Sequence, residues 1–404
     1  MSRIDDQPRI TPERASVPDR HWWRAVPLAG WAIGMIGAGV SLMVARTEPQ
    51  QFYFSYLVAF IFFLSIALGG LFFVLIQYAT RASWGISVRR TAENAMATLP
   101  LFILLFIPVL FGMHELFHWT HEDAVAHDAL LQHKEPYLNS GFFMVRAALY
   151  FAAWTLLSMF YYRLSVRQDE TGDERATRRL NTWSGVGIIV FGLTTTFASV
   201  DWIMSLDPHW YSTILGVYFF SGTAVAIMGF LIVSGIVMQS GGLVRDLLTA
   251  EHFHDLGKLL FGFTVFWSYI GFSQYFLIWY GNIPEETVWY IHRTEGSWMD
   301  VSKLLAVGHF LLPFFFLMPR SIKRRRPLLF VGALWMLAMH WVDLYWMIMP
   351  VLHHEGAQVG LADAAAMFAV GGLFIGTFAW LTQRHALVPI RDPRIHEALG
   401  FENV

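Results

Sequence analysis

The sequence predicts an all-α, polytopic membrane protein of about ten transmembrane helices. Three observations carry this. Of 404 residues, 55% are hydrophobic and only 14% are charged, whereas soluble chains carry roughly 25% charged residues. Mostly apolar stretches of the ~20 residues needed to cross a bilayer recur along the whole chain. Lys and Arg alternate from one connecting segment to the next, as the positive-inside rule requires.

The elements follow in order. Residues 1–24 form a polar tail with Pro8, Pro12, Pro18 and five Arg, without the early apolar core of a secretory signal. Candidate spans then run over 25–45, 54–78, 92–113, 142–162, 183–204, 211–237, 258–280, 300–318, 327–349 and 362–382. The third opens beside Arg89, Arg90 and Glu93 and reads as an interfacial segment at its start. The tenth is followed by a tail over 383–404. With both termini in the cytoplasm, twenty-three of the 28 Lys and Arg fall on the inner side. Arg46, Lys134, Arg146, Arg293 and Lys303 remain outside. The outer segments 114–136 and 281–300 are acidic and His-rich, and they hold Trp119, Tyr137, Trp289, Tyr290 and Trp298. So many aromatics among charges read as a docking face for an extracytoplasmic partner.

Spacing suggests an internal repeat. Asp201 and Pro208, like Asp343 and Pro350, are seven apart, and Val precedes each Asp. Arg146 and Arg163 bracket the fourth span, and Lys303 and Arg320 bracket the eighth, each pair seventeen apart. Helices 2–5 (54–204) and 6–9 (211–350) then form two four-helix bundles, with the first helix and its loop (25–53) and the tenth helix as outriders. Gly30, Gly34, Gly37 and Gly39, with Gly69-Gly70 and Gly371-Gly372, read as helix-packing surfaces.

Ionisable groups at membrane depth are costly and face a cavity, a partner or a proton path. Asp201, His309, His340 and Asp343 stand out. His340 and Asp343 are three apart and share a helix face. Thr194, Thr195 and Ser199 lie on the turns below Asp201, where their hydroxyls would line a wet path. Nearer the inner surface, Glu93, His252, His254, Asp255 and Lys258 are an alternative uptake point or plain interfacial anchors. Two midplane His also raise a b-type haem, against which the crowding by Phe310, Phe314, Phe315 and Phe316 argues.

Other chemistries have weaker support. The chain has no Cys, which excludes disulfides, thiolate-held iron–sulfur clusters and a thiolate nucleophile. Its net charge of −2 and lack of a basic patch give no sign of nucleic-acid binding. His114-Glu115-Leu116-Phe117-His118 is a literal H-E-x-x-H. On a helix it would place His114 and His118 as metal ligands with Glu115 as a base, with His121 and Glu122 beyond. The extended zincin pattern is missing.

Three stretches together carry a resemblance. They are His118-Trp119-Thr120-His121 with Lys134-Glu135-Pro136-Tyr137-Leu138-Asn139; Phe197 to Trp202 running into Met204-Ser205-Leu206-Asp207-Pro208-His209-Trp210-Tyr211; and Ser273-Gln274-Tyr275-Phe276 leading to Asn282-Ile283-Pro284-Glu285-Glu286-Thr287. Over about residues 20–385 the chain resembles the ActF-type membrane subunits of bacterial alternative complex III, within the NrfD/polysulfide-reductase-like membrane family. The resemblance implies two four-helix bundles plus two further helices in a bacterial inner membrane. It implies partners: a related NrfD-like membrane subunit, an iron–sulfur subunit, multihaem cytochrome c subunits and lipid. It implies oxidation of menaquinol or a similar quinol by the complex, with no redox centre, cofactor or catalytic centre in this chain. Its share would be structural support and a transmembrane proton path, for which Asp201, His309, His340 and Asp343 are the candidates. A stand-alone proton-coupled transporter and a zinc-dependent membrane protease are the competing expectations.

Overall fold

The computed structural model describes residues 15–402, and among them every regular element is helical. Ten helices are long and apolar enough to cross a membrane. They are α1 (Trp22–Thr47), α2 (Pro49–Ala79), α3 (Ile86–Phe111), α4 (Ser140–Thr171) and α5 (Glu174–Leu206), then α6 (Leu215–Ser240), α7 (Ala250–Gly281), α8 (Trp298–Leu317), α9 (Arg326–Val351) and α10 (Leu361–Thr382). The chain is a multi-pass membrane protein. All ten expected spans are present, with α4, α5 and α7 the most extended beyond their apolar centres.

Local chemistry sets the ends. Asn139 caps α4 by accepting from Phe142 N at 2.8 Å. The helix stops at Gly172, whose φ of 68° is cheap only for glycine. Asp173 then accepts from Arg175 N at 2.9 Å and starts α5. Asn282, at φ 48°, ends α7 in the same left-handed conformation. Pro100 and Pro108 break α3 into three helical pieces, because each lacks an N–H and clashes with the preceding turn.

The third span starts earlier than the sequence suggests. Ile86–Met96 is helical and buried along its whole length, so Arg89, Arg90 and Glu93 lie inside the bundle. Ion pairs with Asp169 and Asp392, both far away in sequence, make this burial possible.

α2 and α6 are the most buried spans and form the centre, in contact with each other. The glycine pairs permit their close approaches. A Cβ on Gly69 would lie 2.6 Å from Ile227 Cβ on α6, and one on Gly70 would lie 2.8 Å from the Ala92 carbonyl on α3. The first and tenth helices are joined to each other. They pack along most of their length against each other, and α10 packs on α2. A Cβ on Gly30 would come within 2.8 Å of Gly376 Cα, and one on Gly37 within 2.5 Å of Ala369 N. The segment before α1 and the segment after α10 meet at one end of the bundle, where Leu387 N donates to Ala15 O at 2.6 Å. The same end carries most of the arginines, and the opposite end carries the acidic, His-rich segments.

At that opposite end the aromatics fill the connections themselves. Trp119, Trp289 and Trp298 are buried. Trp289 stacks on Trp210 at 4.4 Å and under the Arg293 guanidinium at 3.5 Å. Trp298 Nε1 donates to His353 O at 2.6 Å. These three rings pack the connections themselves, while Tyr137 and Tyr290 are half-buried.

Candidate functional site

Two fully buried aspartates anchor two side-chain clusters, and the clusters differ in charge. Asp201 on α5 meets the Arg146 guanidinium of α4 in a bidentate pair, Nε to Oδ2 at 2.8 Å and Nη2 to Oδ1 at 3.0 Å. Tyr150 OH donates to the same carboxylate at 2.7 Å. Arg146 also donates to Tyr137 O at 2.7 Å and lies over the Tyr137 ring at 3.9 Å. Planar guanidinium and carboxylate match edge to edge, so the charge of Asp201 is balanced where it is buried.

Asp343 on α9 has no such cation. Its Oδ1 accepts from Tyr218 OH of α6 at 2.5 Å, and its Oδ2 accepts from Trp267 Nε1 of α7 at 3.0 Å. No Lys or Arg among the described residues forms an ion pair with it. One turn away, His340 Nε2 lies 2.9 Å from Ser65 Oγ of α2. The His340 ring fits because residue 222 is glycine: a Cβ there would lie 2.8 Å from His340 Cε1. His309 of α8 stacks on Trp267, with ring centroids 3.7 Å apart. Thus His309, His340 and Asp343 do converge, through Trp267, at a point where α2, α6, α7, α8 and α9 meet.

His309 reaches this point from an irregular backbone. Residues Leu305–Leu311 form a π-helix directly before Pro313. Proline offers no N–H to the carbonyl five residues back, and Gly308 O instead accepts from Trp335 Nε1 at 2.7 Å. π-helical segments frequently occur at functional sites. Neither imidazole is set up to hold a haem between them, since one ring lies flat on Trp267 and the other points Nε2 at Ser65.

Tyr218 and Trp267 also line a cavity of about 530 Å³ between α7 and α8. Gln274, Tyr290, Ser302 and Trp346 add polar atoms to an otherwise apolar wall, and Tyr269 and Phe272, both exposed, form its rim. The cavity therefore opens on the lateral surface that faces the bilayer. Its inner wall is the hydrogen-bond shell of Asp343.

The remaining candidates fall elsewhere. Ser199 Oγ and Thr194 Oγ1 donate to carbonyls of their own helix, at 2.7 Å to Thr196 O and 2.7 Å to Val190 O. Such back-bonding is the usual resting place of hydroxyls in apolar helices. Thr195 Oγ1 is buried without a protein partner. These hydroxyls form no direct hydrogen-bonded chain to Asp201. Glu93 and Lys258 are not brought together: Glu93 lies between Arg89 and Arg90, while Lys258 pairs with Asp255 at 2.5 Å. His114 and His118 do not share a helix. The helical turn Met113–Leu116 ends at Phe117, which is extended, and His114 stacks on His121 at 3.8 Å. Among the described residues, no group of three His, Cys, Asp or Glu is arranged to hold a metal ion.

Lys303 also departs from the proposed repeat. It pairs with the exposed Asp300 at 3.3 Å and plays no part at Asp343. Tyr150, Tyr218, Trp267 and Arg146 are the partners of the two aspartates that single-helix reasoning missed. For Arg146, Tyr150 and Trp154 a signal existed: polar-capable residues at successive i, i+4 positions along the buried face of α4.

No protein-family model matches the chain, and no curated protein matches it. The arrangement itself defines a chemistry. A buried carboxyl without a counter-ion, held by a phenol and an indole beside two imidazoles, can take up and release a proton within the bilayer.

Proposed function

We propose that this chain is an integral membrane subunit of a quinol:electron acceptor oxidoreductase of the alternative complex III type, in a bacterial inner membrane. In this reading it carries no redox centre, supports its partner subunits, and contributes a transmembrane proton path. Its partners are a related membrane subunit, an iron–sulfur subunit and multihaem cytochromes c, and the complex oxidises menaquinol or a similar quinol. The observation that carries the reading is Asp343. It is 1% exposed, lacks a cation, and accepts both of its side-chain hydrogen bonds from residues of the membrane-facing cavity. A proton released in the membrane phase could reach it through Tyr218 without crossing bulk water.

Asp343→Asn keeps the shape and one acceptor oxygen but cannot bind a proton. The expected outcome is normal assembly with fewer protons moved per electron during quinol oxidation in vesicles. An unchanged proton-to-electron ratio would sink the proton-path reading. Purification of the tagged chain from native membranes tests the setting. Recovery with haem and iron–sulfur subunits and with quinol oxidation supports it.

One observation favours a second reading, a stand-alone proton-coupled transporter. Transporters use helices interrupted at midplane, and here α3 is broken at Pro100 and Pro108 while α8 is π-helical over Leu305–Leu311. The two interruptions fall on non-equivalent helices of the two halves, which leaves the first reading ahead. A chain that purifies alone and stays intact in detergent would reverse that order.

A further inference from the structure

The arginine-rich end of the bundle holds a second buried charge cluster, remote from Asp343. Arg89 Nε donates to Glu93 Oε1 at 3.1 Å, and Arg89 Nη2 donates to Asp392 Oδ2 at 2.6 Å. Arg90 Nε lies 3.3 Å from Glu93 Oε2, and Arg90 Nη2 donates to Asp169 Oδ2 at 2.5 Å. Ser165 Oγ lies 2.9 Å from both oxygens of Glu93. Both guanidiniums are at most 1% exposed. Asp392 is delivered by the segment after α10, which is pinned where Ile395 and Ala398 pack on Ile86.

The charges do not balance. Two guanidiniums, which stay protonated, face three carboxylates. The neighbouring cations keep their charge but form no ion pair with these carboxylates: Arg391 donates to Glu170 O at 2.5 Å, Arg394 donates to Arg81 O, and Arg384 stacks on Trp380 at 4.4 Å. The other titratable groups facing the cluster are Tyr78, under Arg89 at 4.5 Å, and Tyr162, beside His385 at 5.9 Å. Within its own ion pairs the cluster therefore carries one more carboxylate than guanidinium, and an unbalanced buried charge is costly.

The three carboxylates are not equivalent. Both oxygens of Glu93 are occupied. Asp392 uses Oδ2 for Arg89 and Oδ1 for Arg394 N at 3.0 Å. Asp169 Oδ1 is buried with no protein partner, and so are Arg90 Nη1 and the hydroxyls of Tyr78 and Tyr162. Buried polar atoms are ordinarily satisfied by protein or by ordered water. We propose that this cluster is a proton-binding site fed by water from the arginine-rich side, with Asp169 the carboxyl that takes the proton and Asp392 the charge that obliges it to. The site deepens the proton-path reading, on which the fate of the proton depends; its existence rests on the buried charges alone.

The test uses the full chain in native membranes, treated at neutral pH with N,N′-dicyclohexylcarbodiimide, a hydrophobic reagent that adds to protonated carboxyls. Adducts are located by peptide mass spectrometry. The native chain is expected to carry the adduct on Asp169. Asp392→Asn leaves two carboxylates for two guanidiniums, so labelling of Asp169 is expected to fall at least about tenfold, one unit of pKa. Asp392→Glu is expected to retain it. An unlabelled Asp169 in the native chain, or equal labelling in the Asp392→Asn chain, overturns the proposal. If Asp392→Asn does not accumulate in membranes, the pH profile of the native chain decides. Labelling of Asp169 confined to acid pH counts against the site, and labelling that persists to neutral pH and above supports it. The reagent needs no turnover. Failure here would leave the Asp343 experiment untouched, and an unchanged proton-to-electron ratio would leave the labelling result standing.

Discussion

At the scale of single residues, the contrast between the two membrane aspartates separates architecture from chemistry. Asp201 is clamped by Arg146, whereas Asp343 has only neutral donors. Removing one partner of a buried pair leaves an uncompensated charge, at about 3–5 kcal/mol. Arg146→Leu is therefore expected to lower stability in detergent by about that amount, read from denaturant or thermal unfolding. Adding Asp201→Asn should recover most of the loss, and a double variant no more stable than Arg146→Leu would contradict the charge argument. Sequence reasoning found Asp201, His309, His340 and Asp343 because an ionisable group in an apolar run is conspicuous. It could not tell the two aspartates apart. Arg146 is 55 positions from Asp201, and Tyr218 is 125 positions from Asp343; no periodicity within one helix reports such partners. Asp169 went unremarked for a related reason, since at the end of α4 it looks like one more solvated charge.

At the scale of elements, glycine spacing was the more legible signal. Of the α1 glycines read as a packing face in the sequence, Gly30, Gly34 and Gly37 face α10, where backbones meet almost in contact, and Gly39 does not. Gly37→Ala places its Cβ against backbone that cannot swing aside, whereas Gly39 has nothing within 4 Å. The first substitution is expected to cost about 1–3 kcal/mol, and the second is expected to be neutral or slightly stabilising through helix propensity. Parallel thermal melts in one detergent check both, and equal behaviour would refute the seam. The π-helical turn in α8 was not legible, although its cause was. Pro313 is plain in the sequence, but whether a proline yields a kink, a break or a wider turn depends on what accepts or supplies the freed bonds. Here that is Trp335 on another helix.

At the scale of the whole molecule, hydropathy gave the number of spans because a bilayer imposes one length on all of them. The relation of the two halves was less accessible. Matched spacings around Asp201 and Asp343 suggested equivalent sites, yet one draws its tyrosine from α4 and the other from α6. By the positive-inside rule the arginine-rich end is expected to face the cytoplasm. The absence of Cys allows a direct check. Single replacements Glu174→Cys and His127→Cys, each at an exposed position, are expected to react with a membrane-impermeant thiol reagent from opposite faces, Glu174→Cys from the cytoplasmic one. The reverse pattern would invert the assignment. The pairing of α1 with α10 carries a consequence for how the protein is made. α1 precedes α10 by eight intervening spans, so its glycine seam stays open to lipid until α10 has been made and inserted. Closure of that seam thus waits on α10: a chain truncated before Leu361 is expected to leave the α1 groove unfilled.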